Sequence, residues 1–252
     1  MDITNENKLM NYPKISVITV CYNSEKDIEK TMRSVLQQTF HDMEYVIMDG
    51  GSEDKTLEIV ETVQRAYQDK KVKVFSSPDN GIYDAMNKAV SIACGEWLNF
   101  MNSGDVFAHQ NILQDIVSSG LMEKSSFIYS DFIADNGKRQ RLVPQGYDKG
   151  KILHQSSLYK KNLHDSYGLY YVTHPYIVSD YLFFLQVPKE NFAKFSQPIS
   201  VNDTNGVSMQ GNWMEYERIS ADLMMHRIKE NTFVFKVIQR YIYNIAKRIL
   251  GM

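Results

Sequence analysis

The chain has 252 residues, 43% of them hydrophobic and 23% charged, enough to bury a core as one large domain or two small ones. A formal net charge of −2 offers no broad basic field, so nucleic acid is not an expected partner. Two cysteines, Cys21 and Cys94, make neither a disulfide framework nor a Cys-x-x-Cys pair and fit a reduced compartment.

The polar start MDITNENKLMNYPK lacks the apolar stretch of a signal peptide, and no apolar run reaches the length of a bilayer span. KISVITV (14–20) is β-branched and apolar, the pattern of a buried strand. Ser24 followed by Asp27 predicts a capping box, and Ile28, Met32, Val35 and Leu36 then share one helix face. MEYVIM (43–48) is a second strand. After its Gly turn, Ser52 is the expected cap of a helix with Leu57, Val60 and Val63 inside. VKVF (72–75) predicts a third strand, IYDAMNKAVSIA a third helix, and EWLNFM (96–101) a fourth strand.

Strands alternating with helices imply right-handed crossovers and a mostly parallel sheet flanked by helices. Ligands of such sheets bind beyond the carboxyl ends of the strands. Those ends carry Tyr22 and Asn23, then Asp49, Asp79 and Asp105. Neither the G-x-G-x-x-G fingerprint nor a Walker A motif is present. Beyond residue 110 the pattern loosens. NILQDIVSS reads as a helix, SSFIYSDFIAD as a strand, residues 137–161 as loop-rich, and THPYIVSDYLFFLQV as an apolar segment holding an acid.

Four stretches in this order, ISVITVCYNSEKDIEKTMRSVLQQTF, EYVIMDGGSEDKTLEIV, SPDNGIYDAMNKAV and GEWLNFMNSGD, resemble the family 2 glycosyltransferases with the GT-A fold. HQSSLYKK, SDYLFF and NGVSM resemble segments of the family's bacterial polysaccharide-building branch. The resemblance implies a single GT-A domain over 13–225, with a nucleotide-sugar and metal half (13–110) and an acceptor half (111–225). A basic amphipathic tail follows over 226–252. It also implies sugar transfer from a nucleotide donor, UDP favoured, with a divalent cation, Mn²⁺ or Mg²⁺, and inversion at the anomeric carbon. The acceptor would be a glycan or lipid-linked saccharide.

An acid aimed at an anionic diphosphate repels it unless a hard cation lies between them. Asp105 is therefore expected to hold the metal, the alternative being an Asp that shapes a Ser-Gly turn. The family's Asp-x-Asp or Asp-Asp pair is reduced here to one acid, because Ser103 and Gly104 precede it. Asn102 and Ser103 are placed on ribose or metal-bound water. The resemblance gives Asp49 the base edge, Gly50 would let the backbone approach the ligand, and Tyr22, followed by Asn23, either stacks on the base or is a half-buried tyrosine at a strand end. The alternative for Asp49 is an Asp-Gly turn before a helix. Asp84 either bonds sugar hydroxyls, holds its loop, or sits in a helix's first turn. Asp180 is the expected base, its pKa raised by apolar neighbours Val178, Leu182 and Phe183. His154 and Gln155 fall on the acceptor side, and Trp213 in the core.

From Phe233 onward, Val234, Val237, Ile238, Tyr241, Ile242, Ile245, Ile249 and Leu250 approach one helical stripe, flanked by Lys236, Arg240, Lys247 and Arg248. Such a helix suits the anionic inner face of the cell membrane, or else docks on protein. The expected location is cytoplasmic, peripheral at that face. A rival reading is a nucleotide-sugar-binding scaffold of the same fold that lacks turnover.

Overall fold

The computed structural model describes residues 12–173, 176–204 and 214–250. The first half is a strand–helix alternation: β1 (Ile15–Cys21), α1 (Ile28–Leu36), β2 (Met43–Asp49), α2 (Thr56–Ala66), β3 (Val72–Ser76), α3 (Ile82–Ile92) and β4 (Trp97–Phe100). β1 pairs in parallel with β2 and β4, and β2 with β3. The β1 residues are apolar on both faces because both faces are covered. Ile15 and Val17 pack towards α1, α2 and α4 (Ile112–Ser118), whereas Ile18 and Val20 pack towards α3.

The second half extends the same sheet. β6 (Phe127–Tyr129), β9 (Ser157–Lys160) and β10 (Phe192–Lys194) complete the order β10-β6-β9-β4-β1-β2-β3, in which β9 alone runs antiparallel to its neighbours. A smaller sheet has the order β5-β11-β7-β8, formed by β5 (Val106–Phe107), β7 (Phe132–Asp135), β8 (Gln140–Val143) and β11 (Ser200–Asp203). α5 (Leu163–Tyr167) and α6 (Ser179–Gln186) cover the α3 face, with Leu163, Phe183 and Phe184 in its core. α7 (Met214–Met224) and α8 (Glu230–Leu250) end the described chain, tied by the Asn244 amide donating to the Tyr216 hydroxyl at 3.3 Å.

Three local expectations differ. SSFIYSDFIAD is not one strand. It breaks at Ser130, whose buried hydroxyl donates to the Asp131 carbonyl and accepts from the Ile199 N–H, so β6 and β7 enter different sheets. The loop-rich stretch contains β9, a four-residue strand inside the main sheet. Neither predicted cap forms. Ser24 accepts the Asp27 and Ile28 N–H groups through its carbonyl, and the Ser52 hydroxyl turns back to Asp49.

The apolar stripe of α8 does not dock on the protein's own core. Val234, Ile238, Tyr241, Ile242, Ile245 and Ile249 are exposed, as is Phe235. No helix among the described residues is long and apolar enough to cross a membrane. Trp213 and the segment NGVSM lie outside the described residues, as do the side chains of Arg248 and Leu250.

Candidate active site

β4 ends in a tight turn. The Asp105 N–H donates to the Asn102 carbonyl at 3.0 Å, and Gly104 sits at φ +103°, the backbone that the third residue of such a turn requires. An acid in place of Gly104 would be strained there, which disfavours an Asp-Asp pair at this turn. Thr31 of α1 pins the turn, accepting from the Gly104 N–H at 3.0 Å and donating to the Asp105 carbonyl at 2.7 Å.

The Asp105 carboxylate is 7% exposed. Gln155 Nε2 donates to Oδ2 at 2.8 Å, and the Asp203 N–H of β11 donates to Oδ1 at 3.0 Å. Burial pushes the carboxyl up to about 6, against the opposing effects of these donors, His154 and Asn202. No Lys or Arg pairs with it among the described residues. Around it, Asn102 Oδ1, Ser103 Oγ and Gln155 Oε1 are buried without hydrogen-bond partners. Under-neutralised carboxylate and unpartnered neutral oxygens form a hard donor set, and that set fits Mg²⁺ or Mn²⁺. Among the described residues no group of three or more His, Cys, Asp or Glu closes a metal site. Waters and ligand oxygens would therefore complete the shell.

Asp180 lies in the first turn of α6, 8% exposed. The Tyr83 hydroxyl of α3 donates to Oδ1 at 2.7 Å, and His154 Nδ1 lies 2.9 Å from Oδ2. The other ring nitrogen of His154, Nε2, meets the Asn102 amide at 2.9 Å. With Nδ1 protonated towards the carboxylate, Nε2 accepts from Asn102. A continuous chain thus runs Tyr83–Asp180–His154–Asn102, linking the acid of α6 to the end of β4. It also corrects the expected pKa of Asp180. Burial does press it upward, but the hydrogen bond and charge of His154, the Tyr83 hydroxyl and the charge of Arg218 outweigh that and hold it well below the ordinary carboxylate value.

Asp49 is fully buried, and its carboxylate closes the β2–α2 turn. Oδ2 accepts from the Gly51 and Ser52 N–H groups and the Ser76 hydroxyl, and Oδ1 from the Ser52 hydroxyl. These four donors, with the Cys21 thiol at 3.8 Å from Oδ1, occupy in this structure the carboxylate that was expected to read the base edge. Asp84 likewise holds its loop. It accepts the Asn80 N–H at 2.9 Å and pairs with Lys88 at 3.1 Å, both through Oδ2. Asn23 braces the turn with its side-chain oxygen on the Glu53 N–H, at φ +47°. Tyr22 is 60% exposed at the end of β1. Beside it, a Cβ on Gly50 would come within 2.5 Å of Asp79 Oδ2, so a side chain there would displace the Asp79 carboxylate.

The structure therefore brings Asn102, Ser103, Asp105, His154, Gln155 and Asp180 into one cluster and leaves Tyr22 and Gly50 at a neighbouring strand end. Sequence reasoning missed Tyr83, Thr31 and β11. The hydroxyl of Ser200 donates to Asn202 Oδ1 at 2.6 Å, fixing Asn202 beside the cluster.

Residues 16–168 match the family model described as "Glycosyl transferase family 2". The chain belongs to that family. A PGL/p-HBAD biosynthesis glycosyltransferase of Mycobacterium bovis is 29% identical over 163 residues, 63% of each chain. An uncharacterized glycosyltransferase of Haemophilus influenzae is 35% identical over 104 residues, 41% of each. The match thus spans less than two thirds of either relative. Among solved structures, S. aureus TarS 1-349 in complex with UDP-GlcNAc superposes with TM-score 0.69 at 22% identity, covering 87% of this chain and 69% of that one. The mannosyltransferase PcManGT from Pyrobaculum calidifontis, in complex with GDP-Man and Mn²⁺, gives 0.69 at 15% identity, covering 87% and 66%. The fold is that of the GT-A glycosyltransferases.

Proposed function

We propose that this family 2 member is an inverting glycosyltransferase. It moves a sugar from a nucleotide-diphosphate donor, a UDP-sugar by preference, to a hydroxyl of a glycan or lipid-linked saccharide. The carrying observation is the buried Asp105 carboxylate, unpaired with any Lys or Arg among the described residues, in one hydrogen-bonded cluster with the Asp180–His154 pair. The donor bound in TarS supports a uridine nucleotide, and the Mn²⁺ of PcManGT supports a divalent cation.

Tyr22 would stack on the base and Gly50 admit the ligand's close approach, while Asn23 and the saturated Asp49 hold that loop rigid. Asp105, with Asn102 and Ser103, would hold the cation, which when bound offsets negative charge on the departing diphosphate. Gln155 keeps the Asp105 carboxylate oriented. The acceptor hydroxyl attacks the anomeric carbon as its proton passes to the Asp180–His154 pair. Asp180 alone, held ionised by its donors, is a weak base. His154 shares the carboxylate through Nδ1 at 2.9 Å, so the two side chains act on the hydroxyl together. Tyr83 fixes the carboxylate's orientation.

The exposed apolar face of α8 supports a peripheral position at the cytoplasmic face of the cell membrane, in assembly of cell-surface polysaccharide or lipopolysaccharide. The test is donor turnover across UDP-, GDP- and dTDP-sugars, with and without Mn²⁺, for the wild type and Asp180→Asn. Metal-dependent turnover of one donor, lost in the variant, is expected. Absence of turnover with every donor would overturn the reading, and donor binding without turnover would point to the scaffold instead.

A further inference from the structure

A cavity of about 410 Å³ opens between α6, α7 and α8, away from Asp105. One face of each helix turns into it. Glu215, Arg218 and Asp222 contribute from α7, and Lys236 and Arg240, one turn apart, from α8. Lys151 closes the rim. Four cations thus meet two acids in a chain of net charge −2.

The cations are poorly matched inside the protein. Asp222 is already taken by the Tyr181 hydroxyl at 2.6 Å and lies 3.5 Å from Arg227. Lys236 stands 3.9 Å from it. Arg218 lies over the Tyr181 ring at 5.2 Å, and neither it nor Lys151 forms an ion pair among the described residues. Arg240 rests on Tyr243, and its Nε is buried with no hydrogen-bond partner. Like charges drawn together from two packed helices repel unless an anion lies between them. Guanidinium forks match phosphate oxygens, and the volume leaves room for more than a phosphate alone.

Tyr181, which lines the cavity, directly follows Asp180, so the cavity adjoins the acceptor side of the cluster. Beside it, α8 exposes Phe235, Ile238 and Ile242. We propose that this cavity binds the phosphate or diphosphate group of the acceptor and holds it while the acceptor hydroxyl reaches Asp180. The word acceptor rests on the glycosyltransferase reading, whereas the anion site stands without it.

The test is calorimetric titration of the full chain with inorganic pyrophosphate in EDTA. Asp105→Asn serves as a reference that excludes the donor site. Binding should persist in Asp105→Asn and weaken tenfold or more in the double variant Arg240→Gln/Lys236→Gln. Lys151→Gln, an exposed rim change that leaves the fold alone, should weaken it severalfold. No binding by the wild type, or affinity unchanged in both cavity variants, overturns the proposal. A second arm uses farnesyl diphosphate below its micelle concentration. Tighter binding than pyrophosphate supports a lipid-borne acceptor, and equal binding a water-soluble phosphorylated one. UDP, GDP and dTDP, each with Mn²⁺, read the donor site separately. If pyrophosphate binds and none of the three does, the transferase reading fails while the anion site holds.

Discussion

Replacing Asp105 with asparagine should stabilise the metal-free protein while removing its hold on nucleotide. The carboxyl titrates at about 6 in the fold, against an ordinary value of 3.8. A raised folded pKa means that the fold prefers the protonated form. Stability is fully present below the unfolded value and lost as pH rises through the folded one. The difference of about 2 units corresponds to roughly 3 kcal/mol at pH 7.5, and about half of that at pH 5. Asparagine keeps the shape and can still accept the Asp203 N–H, but its amide meets Gln155 Nε2 donor to donor, which offsets about 1 kcal/mol. The net gain of roughly 2 kcal/mol corresponds to about 4–8 °C in Tm for a chain of this size. Melting curves in EDTA between pH 5 and 7.5 should show Asp105→Asn above the wild type, with the gap narrowing as pH falls. A variant that melts lower at pH 7.5, or a gap that ignores pH, would refute the account of Asp105 as an under-neutralised buried charge.

Gly104→Ala should lower stability by about 1–2 kcal/mol in urea denaturation, because φ +103° is closed to a side chain even though the space around it is open. Asp49→Asn should destabilise by about 1.5–3 kcal/mol through the lost charged hydrogen bonds of the β2–α2 turn. A fold of unchanged Tm with weakened UDP affinity would instead restore Asp49 to the base. Tyr83→Phe removes a donor that favours ionised Asp180, so the acidic limb of the kcat/KM profile should move to higher pH, and an unmoved limb would take Tyr83 out of the pair's environment. Phe235→Asp with Ile242→Asp should reduce sedimentation with vesicles rich in anionic phospholipid, whereas unchanged partitioning would remove the membrane role of α8.

Much of the first half of the chain was legible because its signals are local. Four β-branched or aromatic strands alternate with amphipathic helices, and the parallel order then places Tyr22, Asp49 and Asp105 at one edge. What a single strand end could not disclose was satisfaction. Asp49 and Asp105 occupy equivalent places in the pattern, yet Ser52 and Ser76 saturate the first, while the second is left buried with two donors. The environment of Asp180 was misread for a related reason. Its sequence neighbours are apolar, but its spatial partners, Tyr83 and His154, come from α3 and from the turn before β9. β9 itself is only four residues long, too short for periodicity to show, although it joins β4 of the first half to β6 of the second within one sheet. The backbone N–H of Asp203 on Asp105 left no trace in side-chain chemistry.

The central claim is that Asp105 joins this chain to its donor through a divalent cation. UDP affinity measured by titration calorimetry with Mn²⁺ and with EDTA, for the wild type and Asp105→Asn, tests it most directly. The account predicts binding by the wild type with Mn²⁺ that weakens at least tenfold in EDTA, and a variant with the weak affinity in both conditions. Equal affinity in all four measurements, or a variant that keeps its response to Mn²⁺, would contradict it.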